Sequence, residues 1–367
     1  MKVIGVIGGG QLARMMIGPA VELGVELRVL AESSESSARD RTTAVGDFRD
    51  LETVMTFARD VDVITFDHEH VPTDIIVALE TAGVAVRPGS AALAFAQDKI
   101  AMRQRLAELG HPLPVWSVAH TAAEVSSFLE SNRGRVIAKV PRGGYDGKGV
   151  AVVTDPSQID EWLARGPVLL EEMVEFTREL AQLVARRPAG ETVTWPVVET
   201  TQANGVCAEV ILPAPASDDR IIESAANLGR QIAQDLDVIG VLAVELFETT
   251  DGRVLVNELA MRPHNSGHVT IEGSVTSQFE QHLRAVSDMP LGSTASQHPW
   301  AVMVNVFGGM DLERYGRISG SSDVKLHNYG KEPRAGRKVG HVTATGTDMA
   351  DAASRARAVA EIFHADI

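Results

Sequence analysis

The segment 241–268, VLAVELFETTDGRVLVNELAMRPHNSGH, constrains the fold more than any other part of the chain. Side chains of a β-strand alternate between two faces, and two runs with this alternation flank the turn signal Thr249–Gly252. Pairing the two runs about that turn brings Glu245 and Glu258 close to opposite one another on the same face. The chain is therefore expected to contain a hairpin that holds two carboxylates together.

Two facing carboxylates repel each other and destabilise a sheet unless something lies between them. Mg²⁺ prefers one or two carboxylates together with substrate phosphates, so Glu245 and Glu258 predict a magnesium site. Donors beside such a site suit an anion, and four of them crowd the following loop: Arg262, His264, Asn265 and His268. The alternative is a surface hairpin with solvated glutamates, and the dense polar loop favours the functional interpretation.

Length, charge and cysteine content exclude several classes of protein. A chain of 367 residues is expected to form two or three domains. The net charge of −15 argues against non-specific nucleic-acid binding. No apolar run approaches the roughly 18 residues of a membrane-spanning helix, and the glycine-rich start does not resemble a signal peptide. Cys207 is the single cysteine, so no intramolecular disulfide can form and a reducing cytoplasm fits.

A βαβ pattern opens the chain: a strand, three glycines, a helical pattern and a second strand follow each other in residues 2–30. Gly8-x-Gly10-x-x-Ala13 matches a dinucleotide fingerprint, and Glu32 supplies the acidic residue about 20 positions further on. A glycine turn packs a helix against a strand as readily as it binds pyrophosphate. NAD binding and simple packing therefore both stay open at this point.

The α/β alternation continues, and the predicted strand 61–66 ends in the polar string Asp67-His68-Glu69-His70. Polar residues at the carboxyl end of a parallel strand can line a ligand crevice. A capping turn before the next helix explains the same residues, and the two interpretations stay open.

A glycine-rich loop follows the predicted strand Val136–Lys139, with four glycines in the seven residues Gly143–Gly149. Backbone N–H groups of such a loop can wrap phosphate oxygens, although the spacing is not that of a Walker A motif. Lys99 lies in the first turn of a predicted helix, where a cation opposes the helix dipole, which favours a ligand role. A plain flexible hairpin would not explain Lys139 beside the loop.

Two further stretches carry candidate binding groups. Another predicted strand, 168–170, runs into Glu171 and Glu172, whose carboxylates can accept hydrogen bonds from a base amino group or ribose hydroxyls. The stretch 331–338 has four cations in eight residues, with a proline and a glycine, which is typical of a phosphate-binding turn. A solvated strand end and a solvated hairpin tip are the respective alternatives.

These motifs, in this order, resemble the ATP-grasp superfamily, and specifically the N5-carboxyaminoimidazole ribonucleotide synthetase family of purine biosynthesis. GVIGGGQLARMM, QDKIAMRQ, AKVPRGGYDGKG, VNELAMRPHNSGH and YGKEPRAGRKVGH carry the resemblance over essentially the whole chain. It implies an α/β and α+β architecture: a Rossmann-like (pre-ATP-grasp) domain at 1–98, an ATP-grasp domain at 99–293 with a lid subdomain at about 112–175, and a small C-terminal domain at 294–367.

The resemblance also implies roles for individual residues. ATP would contact Lys99, Lys139, Gly144, Tyr145, Asp146, Gly147, Lys148, Gly149, Val150, Glu171, Glu172, Met173, Val174, Glu179, Gln202, Asn257 and Glu258. The metal site would comprise Glu245, Glu258 and Asn257. Bicarbonate and its phosphorylated form would meet Arg262, His264 and Asn265, with Asp146 orienting or deprotonating the amine. The ribonucleotide would contact Tyr145, Asp146, Lys148, Lys331 and Arg337.

The implied reaction uses ATP and Mg²⁺, with bicarbonate as co-substrate, to carboxylate the amine of aminoimidazole ribonucleotide through carboxyphosphate. The implied partners are small molecules, a second copy of the chain in a homodimer, and a mutase that receives the product; nucleic acid and membrane are not expected. Met261 replaces the family's usual proline, which predicts a less rigid loop, and Gln202 replaces a histidine near the nucleotide. Alternatives are another ATP-grasp carboxylate–amine ligase or carboxylase, an NAD-dependent oxidoreductase and a non-catalytic nucleotide-binding module.

The loop Gly143–Gly149 is expected to be poorly ordered without nucleotide and ordered with it, because glycine loses more conformational entropy on ordering than any other residue. Limited proteolysis with and without Mg-ATP measures the difference. Equal cleavage of the loop under both conditions would contradict the lid role.

Overall fold

The computed structural model describes residues 1–144, 149–203, 205–215, 218–316 and 322–364. Three sheets organise them: a four-stranded parallel sheet, a four-stranded antiparallel sheet and a nine-stranded sheet. In this part of the chain no helix is both long and apolar enough to cross a bilayer.

The N-terminal unit alternates strands and helices around the parallel sheet, whose strand order is β3-β2-β1-β4. Its elements are β1 (Val3–Ile7), α1 (Gln11–Leu23), β2 (Glu26–Ala31), β3 (Thr42–Val45), α2 (Leu51–Ala58), β4 (Val63–Phe66), α3 (Thr73–Thr81) and α4 (Ser90–Gln97). Helices cover the sheet, so β4 is buried along its whole length and consists of apolar residues and one threonine.

The glycine turn between β1 and α1 is closed by the chain's own carboxylate. Gly10 and Ala13 donate their N–H groups to Asp67 at 3.1 and 2.8 Å. A Cβ atom on Gly10 would lie 2.1 Å from Asp67 Oδ2, so only glycine fits there. Because these donors are occupied by an anion, a pyrophosphate cannot use them without displacing Asp67. The turn therefore serves packing, and the fingerprint gives no support to NAD binding.

The next unit is built on the antiparallel sheet, with strand order β5-β8-β6-β7. Its elements are α5 (Lys99–Glu108), β5 (Trp116–Ala119), α6 (Ala122–Ser131), β6 (Val136–Lys139), β7 (Val150–Val153), α7 (Asp160–Leu163) and β8 (Val168–Glu172). Val125 and Leu129 of α6 pack on Val136 and Leu170, giving this small sheet a core of its own.

The remaining elements build the largest sheet, in the order β14-β13-β9-β11-β12-β15-β17-β16, with β10 paired to β9. They are β9 (Phe176–Arg186), β10 (Thr192–Thr194), β11 (Val198–Ala203), β12 (Val206–Leu212), α8 (Asp219–Asp235), β13 (Gly240–Thr249), β14 (Val254–Ala260), α9 (Thr270–Gly273), α10 (Gln278–Val286), β15 (Trp300–Gly308), α11 (Leu312–Tyr315), β16 (Val324–Asn328), β17 (Arg334–Gly346) and α12 (Met349–His364). β12 pairs antiparallel with β15, Leu212 opposite Ala301, so the C-terminal strands extend the same sheet.

Two elements differ from those that the sequence predicts. The run Trp195–Thr200 predicts a strand, but the strand begins only at Val198, since Pro196 cannot donate to a ladder. The run Val84–Val86 predicts a short strand, but only one bridge forms, between Ile64 and Val86.

Candidate functional site

The facing carboxylates are on the paired strands β13 and β14. Glu245 lies directly opposite Glu258, as the alternation predicts, whereas the next pair is Leu246 with Val256. Asn257 is therefore the extra residue of a β-bulge, which bends a strand and re-aims its side chains. This bulge allows two consecutive side chains to meet lysines from the preceding unit. Asn257 Oδ1 accepts from Lys139 at 3.0 Å, and Glu258 accepts from Lys99.

The charges at this site are unbalanced toward anions. Burial, reinforced by the charges of Glu258 and Glu179, raises the pKa of Glu245 to about 7, and the charges of Lys139 and Lys338 only partly oppose this. In the described residues no three His, Cys, Asp or Glu side chains are grouped closely enough to hold a metal by themselves. Two carboxylates completed by phosphate oxygens fit Mg²⁺, whose binding would relieve the repulsion.

A buried ionic cluster lies beside the bulge. Glu171 pairs with Lys139 Nζ at 2.7 Å and also accepts from Arg103 Nε, and both Arg103 and Glu171 are almost inaccessible to solvent. Burial alone would raise the pKa of Glu171, but the two cations outweigh it and lower the pKa to about 2. Arg103 is not among the residues predicted from sequence. It lies one helical turn after Lys99 on the same face of α5, and this spacing was the available signal.

The predicted nucleoside contacts fall into two groups. The carboxylate of Glu172 accepts from the backbone N–H of Val115 at 2.8 Å, which joins β8 to the segment before β5. Met173 is exposed. Glu179 and Gln202 lie side by side: burial raises the pKa of Glu179, and a hydrogen bond from Gln202 opposes that rise. Gln202 at the position of the family's histidine thus keeps a donor for this carboxylate.

The loop after β14 is anchored by the N-terminal unit. Glu69 accepts the backbone N–H of Met261 at 2.8 Å and lies 3.5 Å from the guanidinium of Arg262. A proline at position 261 could not donate this hydrogen bond. Met261 is also fully buried, so the loop is held here by contacts and not by a proline ring. Of the polar string after β4, Asp67 closes the glycine turn and Glu69 anchors this loop.

Buried Gln278 holds the next part of the loop, because its amide bonds both the N–H and the C=O of His264, at 2.9 and 2.8 Å. Burial, then the charges of Arg262 and Lys338, lower the pKa of His264 to about 3, so the imidazole is neutral at pH 7. Its Nδ1 accepts the N–H of Ser266 at 3.3 Å. The proton therefore belongs on Nε2, which lies 3.4 Å from Glu245 Oε1.

Two buried donors of this loop have no partner among the described residues: Arg262 Nε and Asn265 Nδ2. Buried donors of this kind are normally satisfied, so these two are available to an acceptor from outside the chain. An anion such as bicarbonate or a phosphate meets that requirement.

The basic turn, residues 331–338, follows a segment that lies against the N-terminal unit. Arg14 donates to the carbonyl of Asn328 at 3.1 Å, and Arg39 to that of Gly330 at 3.4 Å. Burial raises the pKa of Asp67, and the charges of Arg262 and Lys331 oppose this, so both cations lie close to one buried carboxylate. Arg337 is half-buried and donates to the backbone of its own turn, at Glu332 O. The structure thus brings Lys331 toward the Arg262 loop.

Four predicted residues lie outside the described part of the chain: Tyr145, Asp146, Gly147 and Lys148. Of their described neighbours, Gly149 has φ +71° and accepts the N–H of Val140 at 2.9 Å, while Val150 is exposed at the start of β7. The roles assigned to the four residues stay predictions.

Comparison with known proteins matches the chain to three family models in succession. Residues 1–97 match the ribonucleotide synthetase preATP-grasp domain, 104–279 the ATP-grasp domain and 301–355 the phosphoribosylaminoimidazole carboxylase C-terminal domain. The N5-carboxyaminoimidazole ribonucleotide synthase of Mycobacterium tuberculosis is 46% identical over 97% of this chain and 86% of the relative. That of Corynebacterium ammoniagenes is 46% identical over 99% and 92%. The chain belongs to the N5-carboxyaminoimidazole ribonucleotide synthase family.

Solved structures of the synthase family share the fold. An N5-carboxyaminoimidazole ribonucleotide synthetase in complex with ADP is similar with a TM-score of 0.92 and 32% identity, over 99% of this chain and 97% of that one. The Aspergillus clavatus synthase, in complex with ADP and 5-aminoimidazole ribonucleotide, gives 0.89 and 30%, over 99% and 98%. The predicted ATP-grasp fold, with its Rossmann-like N-terminal and small C-terminal domains, is confirmed. The boundaries at 98 and 293 stay predictions.

The pKa of Glu245 predicts how stability depends on pH in metal-free buffer. The folded-state pKa, about 7, lies above the ordinary value of 4.5, so the folded state loses stability as the pH rises through this range. Glu245→Gln removes the dependence and should be more stable than wild type at pH 8 by about 2 kcal/mol, after allowance for partial exposure, with little difference at pH 4. Urea unfolding at both pH values measures this. Glu22→Gln, at an exposed site on α1, is the control. Parallel stability curves for Glu245→Gln and wild type would contradict the raised pKa.

Proposed function

We propose that this protein carboxylates the amine of 5-aminoimidazole ribonucleotide to N5-carboxyaminoimidazole ribonucleotide, with ATP and bicarbonate. One observation carries the proposal: the unpartnered buried donors of Arg262 and Asn265 adjoin the facing carboxylates Glu245 and Glu258. An anion-binding loop next to a site for nucleotide phosphates is what activation of bicarbonate by ATP requires. Membership of the synthase family supports the identity of the second substrate.

ATP would bind between the antiparallel sheet and the β13–β14 hairpin. Lys99 and Lys139, which reach across to Glu258 and Asn257, supply positive charge for the phosphates. Glu245, Glu258 and Asn257 would hold Mg²⁺, which neutralises phosphate charge when bound. Glu179 and Gln202 lie on neighbouring strands and are suited to the hydroxyls of the ribose. The described ends of the glycine-rich loop, Gly144, Gly149 and Val150, would flank the phosphates.

Bicarbonate is a poor electrophile, so its activation precedes carboxylation. A bicarbonate oxygen attacks the γ-phosphorus of ATP, the bond to the β-phosphate oxygen breaks, and ADP and carboxyphosphate result. Arg262 supplies a permanent charge to this anion, and Asn265 a hydrogen-bond donor. Neutral His264 can donate through Nε2 without adding a charge, and Gln278 fixes the backbone that presents it.

The amine of the ribonucleotide then attacks the carboxyl carbon of carboxyphosphate, or the CO₂ released from it. In the direct route the bond between the carboxyl carbon and the oxygen that bridges to phosphorus breaks. Inorganic phosphate leaves with that oxygen. We assign the proton of the amine to Asp146, and contacts with the ribonucleotide to Tyr145 and Lys148. Carboxyphosphate hydrolyses readily, so exclusion of water by the glycine-rich loop belongs to the proposal.

The phosphate of the ribonucleotide would rest on Lys331 and Arg337. Arg14 and Arg39 support the assignment, because they donate to the carbonyls of Asn328 and Gly330 and so bring two further cations close to this stretch. A homodimer, a cytoplasmic location and transfer of the product to a mutase stay predictions.

The test is ADP release measured with bicarbonate, with and without aminoimidazole ribonucleotide. We expect turnover to require bicarbonate and to rise strongly with the ribonucleotide, with N5-carboxyaminoimidazole ribonucleotide as the product. Glu258→Gln, which removes one facing carboxylate, should abolish magnesium-dependent turnover while the protein stays folded. If ADP release does not change with the ribonucleotide but rises with another amine, the protein is a different ATP-grasp ligase.

Arg337→Ala should raise the KM for aminoimidazole ribonucleotide by about ten- to a hundredfold, given roughly 1.5–3 kcal/mol for a charged hydrogen bond. The KM for ATP should hardly change, because the phosphate of the second substrate is remote from the nucleotide. Arg334→Ala, at an exposed cation of the same turn, is the matched control and should behave as wild type. Loss of ATP affinity with unchanged ribonucleotide affinity would place the second substrate elsewhere.

A further inference from the structure

Arg103 is a fully buried cation with no role in the reaction just described. It lies on α5, and its guanidinium connects the two sides of the nucleotide cleft. Nε donates to Glu171 on β8, and Nη2 donates to the backbone carbonyl of Asn257, the bulge residue of β14, at 2.6 Å. Nη1 is buried and has no partner among the described residues. A buried arginine is costly unless it is paired, so its presence requires a reason.

The charge balance around Glu171 supplies that reason. The carboxylate is buried and touches two cations, Arg103 and Lys139. Under the proposed function, on which this inference rests, Lys139 turns to the phosphates of the nucleotide. If Lys139 were the only counter-ion, its departure would leave a buried carboxylate unpaired, which is strongly unfavourable.

We propose that Arg103 is a positioning residue that makes Lys139 available to the nucleotide. Arg103 stays on Glu171 as a permanent counter-ion, so Lys139 can exchange one anion for another without exposing a buried charge. Its second bond, to the carbonyl of Asn257, holds the guanidinium in place beside Glu171. Arg103 itself acts through these neighbours.

The role can be separated from a merely structural one by a double-mutant cycle. Arg103→Met leaves one buried anion and one buried cation, Glu171 and Lys139, so the charge remains balanced and the fold is expected to persist. Lys139 is then the only counter-ion of Glu171 and has to stay paired with it. In the Glu171→Gln background there is no carboxylate to lock it, so Arg103→Met should matter little. A purely structural residue would show no such dependence on Glu171.

The experiment measures by calorimetry the binding of Mg-ADP and of inorganic tripolyphosphate, which has no base or ribose and therefore reports on the phosphate contacts alone. We expect Arg103→Met to weaken both ligands by about tenfold, or about 1.4 kcal/mol. Arg103→Lys, which keeps the charge, should restore most of the affinity. Arg105→Met, at a partly exposed arginine of the same helix that pairs with Glu108, is the control. In the Glu171→Gln background, Arg103→Met should change tripolyphosphate affinity by less than about twofold.

Glu171→Gln alone provides a second measurement, should Arg103→Met not fold. It frees Lys139 from its carboxylate, so tripolyphosphate should bind several-fold more tightly than to wild type. Equal effects of Arg103→Met in both backgrounds, or weaker tripolyphosphate binding by Glu171→Gln, would overturn the inference. Wild-type turnover tests the proposed function separately: a wild type that binds tripolyphosphate but does not carboxylate the ribonucleotide would refute the function and leave the role of Arg103 intact.

Discussion

Two carboxylates face each other in a cleft, and the charged residues around the site are arranged about this pair. Burial, reinforced by the charge of Glu258 opposite, raises the pKa of Glu245 to about 7, so the two carboxylates cannot both be ionised at low cost. The surrounding cations act on this pair from different parts of the chain. Lys99 and Lys139 approach from the preceding unit, and Lys338 acts on Glu245 from the C-terminal strands. The net charge of −15 makes this local concentration of cations distinctive.

Burial, assisted by two nearby cations, keeps the imidazole of His264 neutral. His264 is buried between Arg262 and the charge of Lys338, and either would oppose a proton on the ring. The loop is held from two directions, by Glu69 of the N-terminal unit and by Gln278 of α10. Residues far apart in sequence therefore determine the position and the protonation of one side chain, which explains why the site lies where three segments of the chain meet.

Local patterns predicted the parts of the fold that depend on local physics. Alternation and turn chemistry predicted the register that puts Glu245 opposite Glu258, and the run Val136–Lys139 predicted β6 with its observed bounds. The bulge at Asn257 was not predictable, because it depends on contacts with Lys139 and Arg103. Arg103 could not be singled out from the local pattern, since its partner Glu171 is on another element.

Two further features required the folded chain. Met261 suggested a flexible loop, yet a hydrogen bond from its backbone to Glu69 holds the position that proline holds in the family. The basic stretch at 331–338 could be a solvated tip or a phosphate site from its composition alone. The residues just before it, Asn328 and Gly330, bind Arg14 and Arg39 through long-range contacts that no local pattern encodes.

The pairing of β12 with β15 has a consequence for synthesis of the protein. Until the C-terminal strands leave the ribosome, β12 presents a row of unpaired N–H and C=O groups next to the apolar residues Val210, Ile211 and Leu212. Such an edge is a template for pairing with another chain, so incomplete or truncated products should self-associate. The C-terminal strands thus limit self-association during synthesis as well as carrying the stretch 331–338. The first of these roles is independent of catalysis.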